Sequence, residues 1–536
     1  MLYVLKGEVL LLLKERYINI PIKNHTDTTL VLVKNELGDI VRYFDISLPT
    51  NKDDFDCTIP YDMNEFIGQK LTFEPNINFE QSSNPLDTVG LYKELNRSQF
   101  HFSSRWGWLN DPNGLFYYNG IYHLFYQHNP VGVEWGNMHW GHATSSDLIH
   151  WREDTDVLFP DKTGTMYSGS AIVDYNNDSG LQDGKDPVVL LFYTAAGSHA
   201  PQKTDDTQCL AYSIDGGNTF EKYEKNPIVP HISSGNRDPK VIWNNSMKTW
   251  MMSLFVSEPY DKFVLLKSNN LLDWEMFQDN ITIDRGRECP DVFPLKITGE
   301  KLEKWVFIEA NGNYLIGDFV DGQFVAETDT LGSFATSDQH EYCYAGQTWS
   351  NMPNNRRVFI GWQRGDCDNF RFNQTMTIPL EFTLERDNDN KLYLAAWPIK
   401  EFESLRKECF EYSIYDESSN IDNEIDKILL GDSCWDIVMK LSRHTSGKAS
   451  FFGYDLFFDL ENDVVLFNEL SLQLNGTDNI RIIIDRASIE IFIGNGRTWV
   501  TKRRINSKHS KGINFEVPEV LEHISLYPIK SIWLPV

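Results

Sequence analysis

Two-residue alternation of apolar and polar side chains runs through almost the whole chain and restricts its fold more than any other feature. Ile18-Asn-Ile-Pro-Ile22, Leu30-Val-Leu-Val33 and Val41-Arg-Tyr-Phe-Asp-Ile46 are separated by short turn-rich pieces. Successive side chains of a strand point to opposite faces, so this rhythm builds half-buried strands. No long stretch carries a persuasive 3.6-residue apolar period. The chain is therefore expected to be all-β, and its 536 residues exceed one ordinary core.

Texture divides it into three. Residues 1–92 read as a small N-terminal β-sandwich ending in the polar segment Gln81-Ser-Ser-Asn-Pro-Leu-Asp87. Residues 97–400 are short aromatic strands broken by Gly, Asn and Asp, and a faint repeat runs through them. Thr144-Ser-Ser-Asp-Leu-Ile-His-Trp151, Ser213-Ile-Asp-Gly-Gly-Asn-Thr-Phe220 and Ser268-Asn-Asn-Leu-Leu-Asp-Trp274 share a Ser, an Asn or Asp, and a closing aromatic. Their spacing fits a propeller whose blades each contribute four strands. After an acidic stretch, Asp416-Glu-Ser-Ser-Asn-Ile-Asp-Asn-Glu-Ile-Asp426, residues 405–536 read as a C-terminal β-sandwich. Ile480–Ile493 is expected there as two strands around Asp485-Arg486. Such a domain covers one side of a propeller and leaves room for a homodimer.

Composition narrows the partners. A formal charge of −28 repels polyanions, so nucleic acid and anionic membrane are poor partners, whereas a neutral substrate is compatible. Fifteen Trp, 23 Tyr and 33 Phe suit sugar C–H faces, though β-rich core packing uses them equally. The seven cysteines (57, 209, 289, 343, 367, 409, 434) are scattered and contain no C-x-x-C pair, so neither a disulfide framework nor a zinc site is expected. No apolar run approaches the ~18 residues of a membrane span. The apolar run Val9–Leu13 is shorter than a signal-peptide core of ~7–15 residues and no small-residue cleavage site follows. The chain as it stands thus points to the cytoplasm, with an extracellular location the alternative.

Three carboxylates sit in unusual settings. Asp111 lies in Trp106-Gly-Trp-Leu-Asn-Asp-Pro-Asn-Gly114, Asp238 in Asn236-Arg-Asp-Pro-Lys240, and Glu288 in Arg287-Glu-Cys-Pro-Asp291. Each alone is an ordinary loop carboxylate. Together on a propeller, whose first strands converge at the axis, they could share one funnel, and sugar hydrolysis needs two carboxyls flanking the glycosidic bond. Gln127, on the opposite face from Tyr126 and His128, could bond a sugar hydroxyl. His123, His139 and His142 lie near Glu134, but their spacing matches no usual zinc motif, so no metal is expected. A glycine-rich phosphate loop and a Gly-x-Ser-x-Gly elbow are both missing.

These motifs resemble glycoside hydrolase family 32, the invertases, exo-inulinases and levanases. The resemblance extends through Trp140-Gly-His-Ala-Thr-Ser145, Tyr167-Ser-Gly-Ser170 and Ile483-Ile-Asp-Arg-Ala-Ser-Ile-Glu-Ile-Phe492, over roughly residues 98 to 536. Leu12-Leu-Lys-Glu-Arg-Tyr-Ile-Asn-Ile-Pro-Ile-Lys-Asn24 is similar to the extra N-terminal β-domain of some bacterial levanase-like members. The resemblance implies a five-bladed β-propeller followed by a β-sandwich, releasing terminal β-D-fructofuranosyl units from fructans and sucrose by double displacement, without a cofactor. It makes Asp111 the nucleophile, Asp238 the transition-state stabiliser and Glu288 the acid/base. Asn110, Gln127, Trp135, Ser168 and Arg237 would line the fructosyl subsite, with Trp108 and Tyr167 as apolar walls. Glu288 must be protonated in the first step, which favours a carboxyl raised by neighbouring negative charge.

Two departures from the family pattern stand out. The acid expected two places before Tyr344-Ala345 sits one place earlier, at Glu341, which puts acceptor-side contacts in question. Arg287 replaces a frequent hydrophobic residue and is expected to point away from Glu288. A sucrose-specific invertase or a fructosyltransferase would use the same carboxylates. A non-catalytic fructan-binding propeller would be expected to have lost one of them, and an inverting five-bladed enzyme of the arabinan type would give the opposite anomer.

Overall fold

The computed structural model describes residues 4–5, 9–51, 54–85, 90–284, 286–327, 332–333, 343–365, 367, 371–413, 434–442, 444–467, 470–503, 512–516 and 518–533; the acidic stretch 416–426 and Glu341 lie outside them. It is built almost wholly of strands, joined by turns and a few single-turn 3-10 segments. Strands up to Glu80–Ser82 form a four-stranded and a three-stranded sheet enclosing one apolar core, with a separate strand pair beside them.

Five antiparallel sheets follow as the propeller blades. Their first strands are Gly107–Tyr118, Thr165–Asp174, Arg237–Asn244, Asp291–Lys296 and Cys343–Thr348. Phe372–Asn373, from the fifth-blade region, pairs parallel to Gly107–Trp108 and closes the ring. Gly107 sits at this seam with φ 80°, where a Cβ would stand 2.2 Å from the Asn129 carbonyl oxygen, so only glycine fits. First strands of neighbouring blades also bond one another around the ring. Ser170 Oγ donates to the Pro239 carbonyl at 2.8 Å, and the Thr348 N–H donates to Asp291 Oδ2 at 2.7 Å. The buried Lys240 ammonium reaches the Thr348 carbonyl at 2.7 Å and Asp291 at 3.1 Å, tying blades three, four and five together.

The sequence repeat is one turn used three times. Ser145, Ser213 and Ser268 end the third strands of blades one to three, and their hydroxyls bond Asp147, Asp215 and Asn270 at 3.0, 2.7 and 3.1 Å. Each closing aromatic then packs on the preceding blade around the ring. Phe220 meets Phe125 at 5.6 Å, Trp274 meets Phe192 at 6.1 Å, and Trp151 meets Trp349 beside blade five at 6.2 Å. The motif is thus both turn and inter-blade wedge.

The C-terminal unit is a six-stranded and a five-stranded sheet over a shared apolar core. Its hairpin Asn479–Asp485/Ser488–Ile493 turns at Arg486-Ala487, with Asp485 paired to Ser488 at the strand end. Asp485 accepts bonds from the Gln99 and Phe100 N–H groups and from His101 Nδ1 at 2.8 Å, clamping the sandwich to the start of the propeller. Burial opposes a charged His101, but Asp485 and Glu490 outweigh it and hold the imidazole up to about 9. The N-terminal sandwich docks on blade one. Val131 enters its core, Tyr61 OH meets His139 Nε2 at 3.0 Å, and the Asn137 amide holds the Asp45 N–H and C=O at 2.7 and 2.8 Å.

Candidate active site

In four of the five first strands, pairing with the second strand slips near the cavity end, and in blade one it slips again between Asn113 and Phe116. The cavity-end slips fall between Leu109 and Pro112, Tyr167 and Gly169, Arg237 and Lys240, and Tyr344 and Gln347. A bulge leaves a residue unpaired and re-aims its side chain. Here the residues released are Asn110-Asp111, Ser168, Asp238-Pro239 and Ala345-Gly346, so strand irregularity delivers the polar groups to one place. Glu288 arrives from the loop before blade four. Asp238, Glu288 and Cys289 have φ of 65°, 49° and 41°, a left-handed conformation that costs non-glycine residues about 1–3 kcal/mol each.

The cavity they enclose has a volume of about 570 Å³. Nine of the ten residues singled out from sequence line it: Asn110, Asp111, Gln127, Trp135, Tyr167, Ser168, Arg237, Asp238 and Glu288. Trp108 stands behind this lining. Its indole N–H donates to Asn110 Oδ1 at 3.0 Å and its ring meets Trp362 edge-on at 5.9 Å, so Trp362 supplies the aromatic wall there. Gln127 is fixed by its amide bond to the Met166 carbonyl at 2.8 Å.

The carboxyls differ in their partners. Asp111 Oδ2 accepts from Ser168 Oγ at 2.7 Å and Oδ1 accepts from Asn110 Nδ2 at 3.0 Å. Asp238 Oδ2 accepts the Cys289 N–H at 3.0 Å, and the Cys289 thiol lies 3.5 Å from Asp238 Oδ2 and 3.6 Å from Asp111 Oδ2. Glu288 accepts from Arg237 Nη2 at 2.5 Å and from the Tyr344 hydroxyl. Arg237 is itself steadied by the Gly235 carbonyl at 2.8 Å and by the Phe255 ring at 4.6 Å.

These surroundings set the charges. Burial pushes Asp111 above its ordinary value, opposed by Ser168 and Asn110. Burial likewise pushes Asp238 up to about 7, opposed by Arg237 and reinforced by Glu288 and Asp111. Glu288 goes the other way. Burial favours its neutral form, but the Arg237 guanidinium and the Tyr344 hydroxyl outweigh it and hold the carboxyl below its usual range. This corrects the sequence expectation of a raised Glu288. The reason is geometric: Glu288 keeps 30% of its side chain exposed and is paired to a cation, whereas Asp238 keeps 5%. The cation is Arg237, not the adjacent Arg287, whose side chain is 60% exposed and faces Asp261.

Sequence reasoning missed Tyr344 as a partner of Glu288, and Ser198, His199, Asp206, Trp362 and Arg364 as lining. Arg364 stacks on Tyr344 and Trp362 at 4.4 and 4.5 Å. The Trp-Gln-Arg run at the end of its strand was the available signal. The three histidines are structural. His123 Nδ1 bonds His142 Nε2 at 3.0 Å, His139 bonds Tyr61, and burial lowers all three to about 3. Among the described residues no group of His, Cys, Asp and Glu has a metal-holding arrangement.

Comparison with known proteins agrees along most of the chain. Residues 101–398 match the N-terminal domain of glycosyl hydrolases family 32, and residues 441–528 match that family's C-terminal domain. A levanase of Bacillus subtilis is 32% identical over 501 residues, covering 82% of this chain and 72% of the relative. An extracellular exo-inulinase of Aspergillus niger is 30% identical over 482 residues, covering 76% of this chain and 89% of the relative. The crystal structure of an exo-inulinase from Aspergillus awamori superposes with a TM-score of 0.70 at 23% identity, over 82% of this chain and all of that one.

Proposed function

The chain belongs to glycoside hydrolase family 32, and we propose how its own residues divide the work of that family. It is a β-fructofuranosidase acting on fructans and sucrose, with the retention of anomeric configuration general to the family. In our reading Asp111 is the nucleophile, Glu288 the acid/base and Asp238 the transition-state stabiliser. The observation that carries this is the convergence of all three on Cys289: its thiol lies within 3.6 Å of Asp111 and of Asp238, and Glu288 is its neighbour in sequence.

In the first step the ionised Asp111 attacks the anomeric carbon while Glu288 gives its proton to the departing oxygen. In the second, Glu288 takes a proton from water, which attacks the same carbon and frees Asp111. Against burial, Arg237 and Tyr344 together hold the Glu288 carboxyl below its usual range, which favours the base form. A sugar whose hydroxyls engage the Arg237 guanidinium would weaken the chief influence holding Glu288 ionised, leaving burial to favour the acid form. Esterification of Asp111 then removes a nearby negative charge, which favours the base form again for the second step. Asp238 accepts sugar hydroxyls, and those bonds strengthen as positive charge develops on the ring. Asn110, Gln127, Trp135, Tyr167, Ser168 and Arg237 shape the fructosyl subsite, with Trp108 buttressing Asn110.

Free fructose released from levan, inulin and sucrose, side by side with Asp111→Asn, tests this. Release from levan or inulin that the substitution abolishes is the expected result. Release from sucrose alone would make the chain an invertase, and equal release by the Asp111→Asn protein would overturn the assignment of the nucleophile.

A further inference from the structure

The N-terminal sandwich lies outside both family-matched segments, yet it stands beside the catalytic cavity. Between it and blade one runs a second cavity of about 330 Å³, within the ~300–1,000 Å³ span of small-molecule sites. Trp135 and His199 line both cavities, so the two share a wall. Trp135 is 51% exposed, and its ring is propped edge-on by Tyr167 at 6.2 Å and His199 at 5.9 Å. A large aromatic fixed by two other rings, but left half in water, contributes little to a core and offers a flat face to a ligand.

The sandwich supplies the polar side of the cleft. Asp45 lines it from an exposed strand position, and among the described residues its carboxylate has no hydrogen-bond or ion-pair partner. Its backbone N–H and C=O are both held by the Asn137 amide, so this acceptor projects from a fixed strand. His25 Nδ1 meets Glu134 Oε1 at 2.7 Å, linking the rim of the sandwich to the residue before Trp135. An unpaired carboxylate and an exposed indole, facing one cleft from two domains, are the pair of groups that bind a neutral polyol: one accepts hydroxyls, the other takes C–H faces.

We propose that this interdomain cleft is an accessory subsite for the fructan chain, holding sugar units while the chain end is cleaved in the adjoining cavity. It rests on the fructan reading above, because sucrose is too short to occupy both cavities and a polymer is not.

The test is steady-state kinetics of Asp45→Ala and Thr28→Trp on sucrose, long-chain inulin and levan. Asp45→Ala removes the acceptor, and Thr28→Trp fills the cleft from an exposed strand position. Both variants should lower kcat/KM on at least one of the polymers by about two- to tenfold, the worth of one lost hydrogen bond, through KM, with sucrose kinetics unchanged. If the unaltered chain cleaves all three substrates and neither variant separates polymer from sucrose, the subsite is overturned while the functional reading stands. If the unaltered chain releases fructose from none of them, the functional reading fails and the subsite with it.

Discussion

Replacing Ser168 by Ala removes a single oxygen from the wall of the catalytic cavity. That hydroxyl donates to Asp111 Oδ2 at 2.7 Å and is the shorter of two strong bonds to this carboxylate, the other being from Asn110 at 3.0 Å. Burial already pushes Asp111 above its ordinary value, and the two donors work against burial. A hydrogen bond to a charged group is worth about 1.5–3 kcal/mol, or about 10- to 150-fold in an equilibrium. Without it the protonated, non-nucleophilic form gains, so the acid limb of kcat/KM against pH moves to higher pH. On that limb the variant should lose up to about 10- to 150-fold relative to the unaltered protein. Above the limb, where Asp111 is ionised in both proteins, the loss should be far smaller. Full pH profiles of kcat/KM on one substrate give the answer. A uniform loss at every pH, with the acid limb unmoved, would mean that Ser168 serves the sugar alone and does nothing for the charge of Asp111, and would refute the reasoning.

Three further outcomes are expected. Tyr344→Phe takes one of the two donors from Glu288 while keeping the ring beside Trp362, so the Glu288 carboxyl should rise and the alkaline limb of kcat/KM should move to higher pH; an unmoved limb would separate Tyr344 from the acid/base. Asp238 stands at about 7 when folded against an ordinary 3.8, so it costs stability progressively as pH rises through that window and in full above about 7, on the order of a few kcal/mol. Asp238→Asn should therefore raise Tm above pH 7 and leave it nearly unchanged below 3.8 while disabling catalysis, and equal melting curves at high pH would contradict the burial argument. Glu288→Ala should lower turnover on unactivated fructosides by about 10²–10⁴, and near-normal turnover would remove Glu288 from the acid/base role.

How much of this was legible in the sequence follows from the range of the forces involved. Strand alternation, the Ser–Asn/Asp turns at 145, 213 and 268, and the 480–493 hairpin depend on neighbours a few residues apart, so the chain alone determined an all-β propeller-and-sandwich architecture. The three carboxylates could be picked out only together, because each alone is an ordinary loop carboxylate and it is their short motifs in this order that resemble the family. Their protonation could not. Whether a carboxyl is raised or lowered depends on what meets it in space, and the cation that lowers Glu288 comes from Arg237, 51 positions earlier, rather than from the adjacent Arg287. Tyr344, Trp362 and Arg364 reach the cavity because the ring brings blade five against blade one, a closure made by Phe372–Asn373 that no local pattern announces. The second cavity exists only where the N-terminal sandwich docks on blade one. Local sequence thus set the strands and supplied the reactive groups, while long-range packing chose their neighbours, and with them their charge and reach.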